Sequence, residues 1–247
     1  MEGEKLLSAA LDAGAEVESL FVAPDGRASK AVVRLLDRAA TVGIRAFDLA
    51  PGVLDRVADT VTPQPLLGVV RMPRAPSEDL LVAGFVVVCV DVRDPGNAGA
   101  VIRVADAAGA HAVVCCEGTV DPFNPKTVRA SAGTVLHVPL VVGGEPEEIL
   151  DGLGHRGVYR LAAVAHGGTA HTDVELVSPL ALVLGNEGAG LPNRLSESVD
   201  ALVTVPMAGK AESLNVASAA AVLCFELARR CPKLPSRSNL PLMETAT

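Results

Sequence analysis

Apolar positions along this chain follow two alternating rhythms. Stretches with an apolar residue every three or four positions are followed by short uninterrupted runs of Val, Leu, Ala and Phe. That is the pattern of helices burying one face and strands buried on both. Over the first seventy residues the units are short. GEKLLSAALDAG reads as a helix closed by Gly14, because glycine readily takes the left-handed conformation that ends helices. VESLFVA (17–23) reads as a strand, SKAVVRLLDRAATVG as a helix ending near Gly43, and IRAFDLA as a second strand. PGVLDRVAD reads as a short helix with Pro51 near its first turn, and PLLGVVRM as a third strand. The proline-rich, charged PRAPSED (73–79) then breaks the alternation and reads as a linker.

From residue 80 the alternation resumes with longer units. A strand at 84–91 precedes a helix near 98–108, a strand AVVCC (112–116) and a helix near 124–132. The strand VLHVPLVV, a helix near 145–153 and the strands YRLAAVAH, LALVLG and ALVTVPM follow. The last helix is expected from about 213 to 230, with Val216, Ala220, Leu223 and Leu227 on one face. CPKLPSRSNLPLMETAT has three prolines and little periodicity, so 232–247 reads as a mobile tail. The expected organisation is α/β, with a small domain at 1–72, a linker at 73–79 and a larger domain at 80–231.

Composition narrows the classes. The chain is 49% apolar and 2% aromatic, which suits an α/β protein with Val-rich buried strands. Its most membrane-like stretch, 80–90, covers about eleven residues against the roughly 20 a spanning helix needs, so no membrane partner is expected. The acids and lysine of MEGEKLL suit a helix and not a leader. Cys89, Cys115, Cys116, Cys224 and Cys231 form no Cys-x-x-Cys pair. Buried reduced thiols in a cytoplasmic protein, with no metal site, are the expectation. The net charge of −8 argues against a generic nucleic-acid binder. It is uneven, however: residues 1–76 hold 9 Lys/Arg against 10 Asp/Glu, and most of the excess acid lies beyond them. Polyanion contact therefore needs a local patch, for which Arg27, Lys30, Arg34 and Arg38 are candidates, the last three spaced like one helix face. A solvated face explains that spacing as well.

Candidate chemistry lies in three loops that carry polar residues after apolar strands, where ligands of open α/β sheets gather. In VDVRDPGNAGAVIRVADAAGA (90–110), Pro95 and Gly96 force a turn, Asn97 can start a helix, and Arg103 falls further along it. In LVLGNEGAGLP (182–192), Glu187 stands within a turn of three glycines. Gly-rich turns after strands cradle phosphates, and a carboxylate there would repel one. The spacing G-x-x-G-x-G also differs from the dinucleotide fingerprint, and no Walker-type Lys-Ser/Thr follows, which disfavours a nicotinamide-dependent dehydrogenase. In VPMAGKAESLNVASAAAVL (205–223), Ser213 could cap the last helix, while Asn215 in its first turn is a poor interior helix residue.

In this order and spacing, DPGNAGAVIRVADAAGA, LVLGNEGAGLP and VPMAGKAESLNVASAAAV resemble the three motifs of the SpoU (TrmH-like) family of RNA ribose 2′-O-methyltransferases. NPKTVRASAG (124–133) is similar to the segment this family carries between its first and second motifs. The resemblance covers 84–230. Residues 1–72, ending in TVTPQPLLGVV, are similar to the L30e-like substrate-binding domain of rRNA-modifying members.

The resemblance implies an α/β fold: a C-terminal SPOUT-type parallel sheet with a deep trefoil knot, plus a small N-terminal L30e-like α/β domain. It implies S-adenosylmethionine (AdoMet) as cofactor, 23S rRNA as the foremost substrate and a homodimer. The family's functional polar residues fall on Asn97, Arg103, Glu187, Ser213 and Asn215, and its cofactor contacts on Gly185, Val205 and Leu214. A donor without phosphate leaves Glu187 no phosphate to repel. Family accounts place the Arg103 position at the ribose hydroxyl, sometimes as general base. A guanidinium keeps its proton, so a grip on the adjacent phosphate is the preferred role here. Relatives carry a basic segment and a first strand before the position of Glu2-Gly3, which implies either weaker RNA affinity for the small domain or a start upstream. The alternatives are the same chemistry on tRNA, or a non-catalytic RNA-binding or assembly factor; the presence of all five polar motif residues argues against the latter.

Overall fold

FVVVC has no polar position, and it becomes the middle of a sheet. A computed structural model describes residues 1–58, 60–73 and 81–231 of the chain. The linker assigned to 73–79, beyond residue 73, and the tail at 232–247 lie outside them. The chain divides into two units, Met1–Arg74 with Ala132–His137, and Ala75–Ser131 with Val138–Thr247.

The first unit contains α1 (Glu4–Asp12), β1 (Val17–Val22), α2 (Lys30–Thr41), β2 (Arg45–Asp48), α3 (Leu54–Val57) and β3 (Leu66–Val70). Its three-stranded sheet runs β2-β1-β3, with β1 parallel to β2 and antiparallel to β3. Ser29 starts α2 by accepting from Val32 N–H, an N-cap contact that satisfies a donor with no helical partner. Leu7, Ala10, Leu20, Val22, Val32, Leu35 and Leu66 form its core. On the other sheet face Phe21 and Phe47 stack with ring centres 5.6 Å apart. Pro51 lies before α3, not in its first turn.

In the second unit β4 (Phe85–Cys89), α4 (Pro95–Ala107), β5 (Ala112–Cys115), α5 (Pro125–Ala130), β6 (Leu140–Val142) and α6 (Pro146–His155) come first. Next are β7 (Tyr159–Ala163), β8 (Thr169–Ala170), β9 (Leu180–Leu184), α7 (Asn193–Ser196), β10 (Ala201–Thr204) and α8 (Val216–Arg230). The seven strands are ordered β6-β5-β4-β9-β7-β10-β8, and every pairing is parallel. The chain therefore starts the sheet at β4, builds outward through β5 and β6, and returns to place β9 on the other side of β4. β4 and β9 are buried at every position, so each Val or Leu there contributes about 1.5–3 kcal/mol. Cys89, Cys115, Cys116 and Cys224 are buried free thiols. Burial pushes Cys116 and Cys224 up to about 12, which keeps them unreactive.

Several sequence expectations move. Only Leu140–Val142 of VLHVPLVV is strand, while Thr134–Leu136 forms a 3₁₀ turn; Pro139 has no N–H to offer a ladder. The helix expected near 98 begins at Pro95, because Asp94 is its cap: Asp94 Oδ1 accepts from Asn97 N–H at 2.8 Å. Asn97 therefore lies inside the first turn and does not start it. The last helix begins at Val216 and not near 213, because Asn215 is the cap, accepting from Ala217 N–H at 2.9 Å. Ser213 thus does not cap it. The short β8 and α7 carried no periodic signal.

Candidate active site

The carboxyl ends of β4 and β9 are tied together where Val90 N–H donates to the Leu184 carbonyl at 2.8 Å. Beyond that point each strand turns. After β9 the chain doubles back, with Asn186 and Gly190 exchanging backbone hydrogen bonds at 3.0 Å both ways. A Cβ on Gly185 would lie 2.5 Å from Gly190 C and 2.6 Å from Leu191 N. Backbone cannot yield as a side chain can, so only glycine fits there. Gly190 takes φ +69, a left-handed conformation that favours glycine.

Glu187, at the tip of this turn, points at the start of α4. Its carboxylate accepts from Asp94 N–H at 3.1 Å, Arg93 N–H at 3.4 Å and Asn97 Nδ2 at 3.1 Å. Asn97 Oδ1 in turn accepts from Asn215 Nδ2 at 2.9 Å. One hydrogen-bonded chain, Asn215–Asn97–Glu187, thus joins all three loops. Burial pushes the Glu187 carboxyl up, but Asn97 and the N–H groups of Glu187, Asp94 and Arg93 outweigh it and hold the group below its ordinary value.

Beside this chain a cleft opens at the carboxyl ends of β7, β9 and β10. Its walls are residues 163–165, 184–188, 190 and 203–205, with Met207, Ser213 and Leu214, and Val216, Ala219 and Leu223 of α8. It encloses about 140 Å³ and is open to solvent at its mouth. Among the described residues no Lys, Arg or His lines it, and the Glu187 carboxylate is turned to backbone N–H groups. Such a cleft suits an uncharged or cationic ligand and lacks the cations that phosphates attract.

Of the residues singled out in the sequence, Gly185, Glu187, Val205, Ser213 and Leu214 line the cleft, and Asn97 and Asn215 join it through Glu187. Arg103 stands apart, exposed on α4 and absent from the cleft wall. Three features were missed. Asp94 was legible, since Asp before Pro is a cap followed by an N1 proline. Asn186, which bonds Asp91, could have been found only as the neighbour of Glu187. The end of β7 carries no polar chemistry and gave no signal. Among the described residues no group of His, Cys, Asp and Glu could hold a metal ion, and no helix is long and apolar enough to cross a membrane.

An open parallel sheet with a cation-free cleft at its strand ends, roofed by α8, defines an α/β protein with a small-molecule site. A family model described as the SpoU rRNA Methylase family matches residues 84–225, and one described as RNA 2′-O ribose methyltransferase substrate binding matches 1–76. The chain belongs to the SpoU rRNA methylase family. It is 37% identical over 227 residues to the 23S rRNA (guanosine(2553)-2′-O)-methyltransferase RlmP of Bacillus subtilis (strain 168), covering 92% of this chain and 87% of that one. The crystal structure of the SpoU methyltransferase AviRb from Streptomyces viridochromogenes in complex with AdoMet superposes with a TM-score of 0.78 at 31% identity, covering 94% of this chain and 90% of that one. The TrmH/SpoU tRNA modifying enzyme of A. aeolicus superposes with a TM-score of 0.56 at 25% identity, covering 67% of this chain and 86% of that one.

Proposed function

We propose that this chain methylates a ribose 2′-hydroxyl of 23S rRNA with AdoMet as donor. The observation that carries the reading is the Asn215–Asn97–Glu187 chain at the lip of a cleft without cations. The residues present fit the donor: Gly185 lets the cleft wall turn tightly on itself, Val205 and Leu214 offer apolar contact, and no cation lines the cleft to hold a phosphate, which the donor lacks. When bound, AdoMet supplies a methyl on a sulfonium, which one displacement moves to the 2′-oxygen. The chain's own residues hold the partners in line, the main lever such a reaction has. Arg103, exposed on α4 outside the cleft wall, grips the neighbouring phosphate and steadies the oxygen as its proton leaves to water. Glu187 and Asn97 hold the loops together, and Ser213 lies on the cleft wall.

Residues 1–72 serve as the L30e-like RNA-engaging domain and 80–231 as the catalytic domain. The neighbour described as modifying tRNA covers 67% of this chain, whereas the 23S rRNA methyltransferase RlmP covers 92%, which favours rRNA over tRNA. The return between Gly185 and Gly190, too close for a Cβ, suits the chain passage of a trefoil knot. Val222 and Phe225 stand 37% and 52% exposed on α8, a surface suited to a second copy in a cytoplasmic homodimer. The test is calorimetry with AdoMet and with NAD, followed by transfer of labelled methyl to 23S rRNA and to tRNA. AdoMet binding with label in rRNA ribose is the expected result; NAD binding, or label absent from both RNAs, overturns the reading.

A further inference from the structure

Asn186 uses its side-chain amide on both sides. Nδ2 donates to the Asp91 carbonyl at 2.9 Å and to Asp91 Oδ2 at 3.2 Å. Oδ1 accepts from Gly188 N–H and Ala189 N–H, each at 2.9 Å. Asp91 is itself held, at φ +57, with Arg93 Nε on its Oδ1 at 2.7 Å. The turn after β9 is therefore attached to the loop after β4 by two successive residues, Asn186 on Asp91 and Glu187 on the N–H groups of Arg93 and Asp94. Two adjacent attachments fix rotation as well as position. With one gone, the turn pivots on the other, carrying with it both the cleft wall at 185–190 and the Glu187 carboxylate.

We propose that Asn186, with Asp91 as its acceptor, is a positioning residue for methyl transfer: it sets the cleft wall in register with the start of α4 and touches neither the methyl nor the 2′-oxygen. This rests on the reading of the cleft as the AdoMet site. An amide is the one side chain of this size that both donates to Asp91 and accepts from the turn. Aspartate at 186 would keep the acceptor but set a second carboxylate against Asp91. The polarity can also be reversed, because the left-handed conformation of residue 91 suits asparagine. Asp91→Asn combined with Asn186→Asp moves the side-chain donor to 91 and the acceptor to 186 and removes the carboxylate pair, while the bond to the residue 91 carbonyl stays lost, so the rescue is partial.

AdoMet calorimetry, steady-state methyl transfer and thermal unfolding of wild type, N186A, N186D, D91N and the N186D/D91N double variant test this. N186D is expected to weaken AdoMet binding at least tenfold and lower kcat, with N186A intermediate and the double variant regaining at least threefold of the lost binding. Wild-type Kd, kcat and KM in both Asn186 variants overturn the role, as does a double variant whose losses simply multiply. So does an N186A that lowers only the unfolding temperature, which marks a purely structural contact. A wild type that binds no AdoMet overturns the reading of the cleft itself, and is told apart because no variant is needed to see it.

Discussion

Glu187 is the residue on which a phosphate reading fails, and its surroundings say why it is there. It is a strut: three donors from the start of α4 converge on it. Because those bonds hold its folded value below the ordinary 4.5, the stability it contributes is present above that value and is lost as pH falls through the lower folded one. Glu187→Gln should therefore lower the unfolding temperature at pH 7 and flatten its decline as pH falls below 4.5, so that the two curves converge in acid; parallel curves would deny the strut. Arg103 makes the complementary case. Arg103→Lys keeps the charge and loses the two-pronged geometry, so kcat should fall at least tenfold, about 1.4 kcal/mol, with AdoMet affinity unchanged. Near-full turnover in that variant would deny the grip on phosphate. Sequence pointed to both side chains, but it could not show what Glu187 holds, because two of its three partners are backbone N–H groups, which every residue but proline possesses.

Among elements, the buried strands were the most legible, since a run such as FVVVC or LALVL has no polar residue to face water. Helix starts were the least. Those of α4 and α8 lie about three residues from where periodicity places them, in opposite directions, because a capping side chain sets the boundary and periodicity does not register caps. β8 and α7 are too short to show a period. The turn after β9 is legible in part: its glycines are plain, but which of them are obligatory is not. The structure separates them. Gly188 has nothing closer than Asn186 Oδ1 at 3.7 Å from a built Cβ, whereas Gly185 meets backbone at 2.5 Å. Gly185→Ala should thus abolish AdoMet binding in calorimetry, while Gly188→Ala should change it less than threefold; equal effects would contradict the packing.

Across the whole molecule, charge decides how RNA is approached. With a net −8, long-range attraction is absent and contacts must be local. Lys30, Arg34 and Arg38 are all exposed on α2, though Arg38 is paired with Asp12 at 2.7 Å. The double variant Lys30→Gln/Arg34→Gln should weaken binding to all RNA sequences alike. It should also reduce the slope of log affinity against log salt by about 1 for every phosphate the variant no longer neutralises. AdoMet affinity should stay at the wild-type value; an unchanged slope would mean that this face meets only water. The order of strands was beyond sequence reasoning, because β9 returning beside β4 leaves no local mark in either run. That return has a temporal side. Asn97 and Asn215 are 118 residues apart, so a nascent polypeptide finishes β4 and the first turn of α4 long before the partner that completes the lip is translated. Synthesis halted before α8 yields a sheet that is largely built and an enzyme that has not begun.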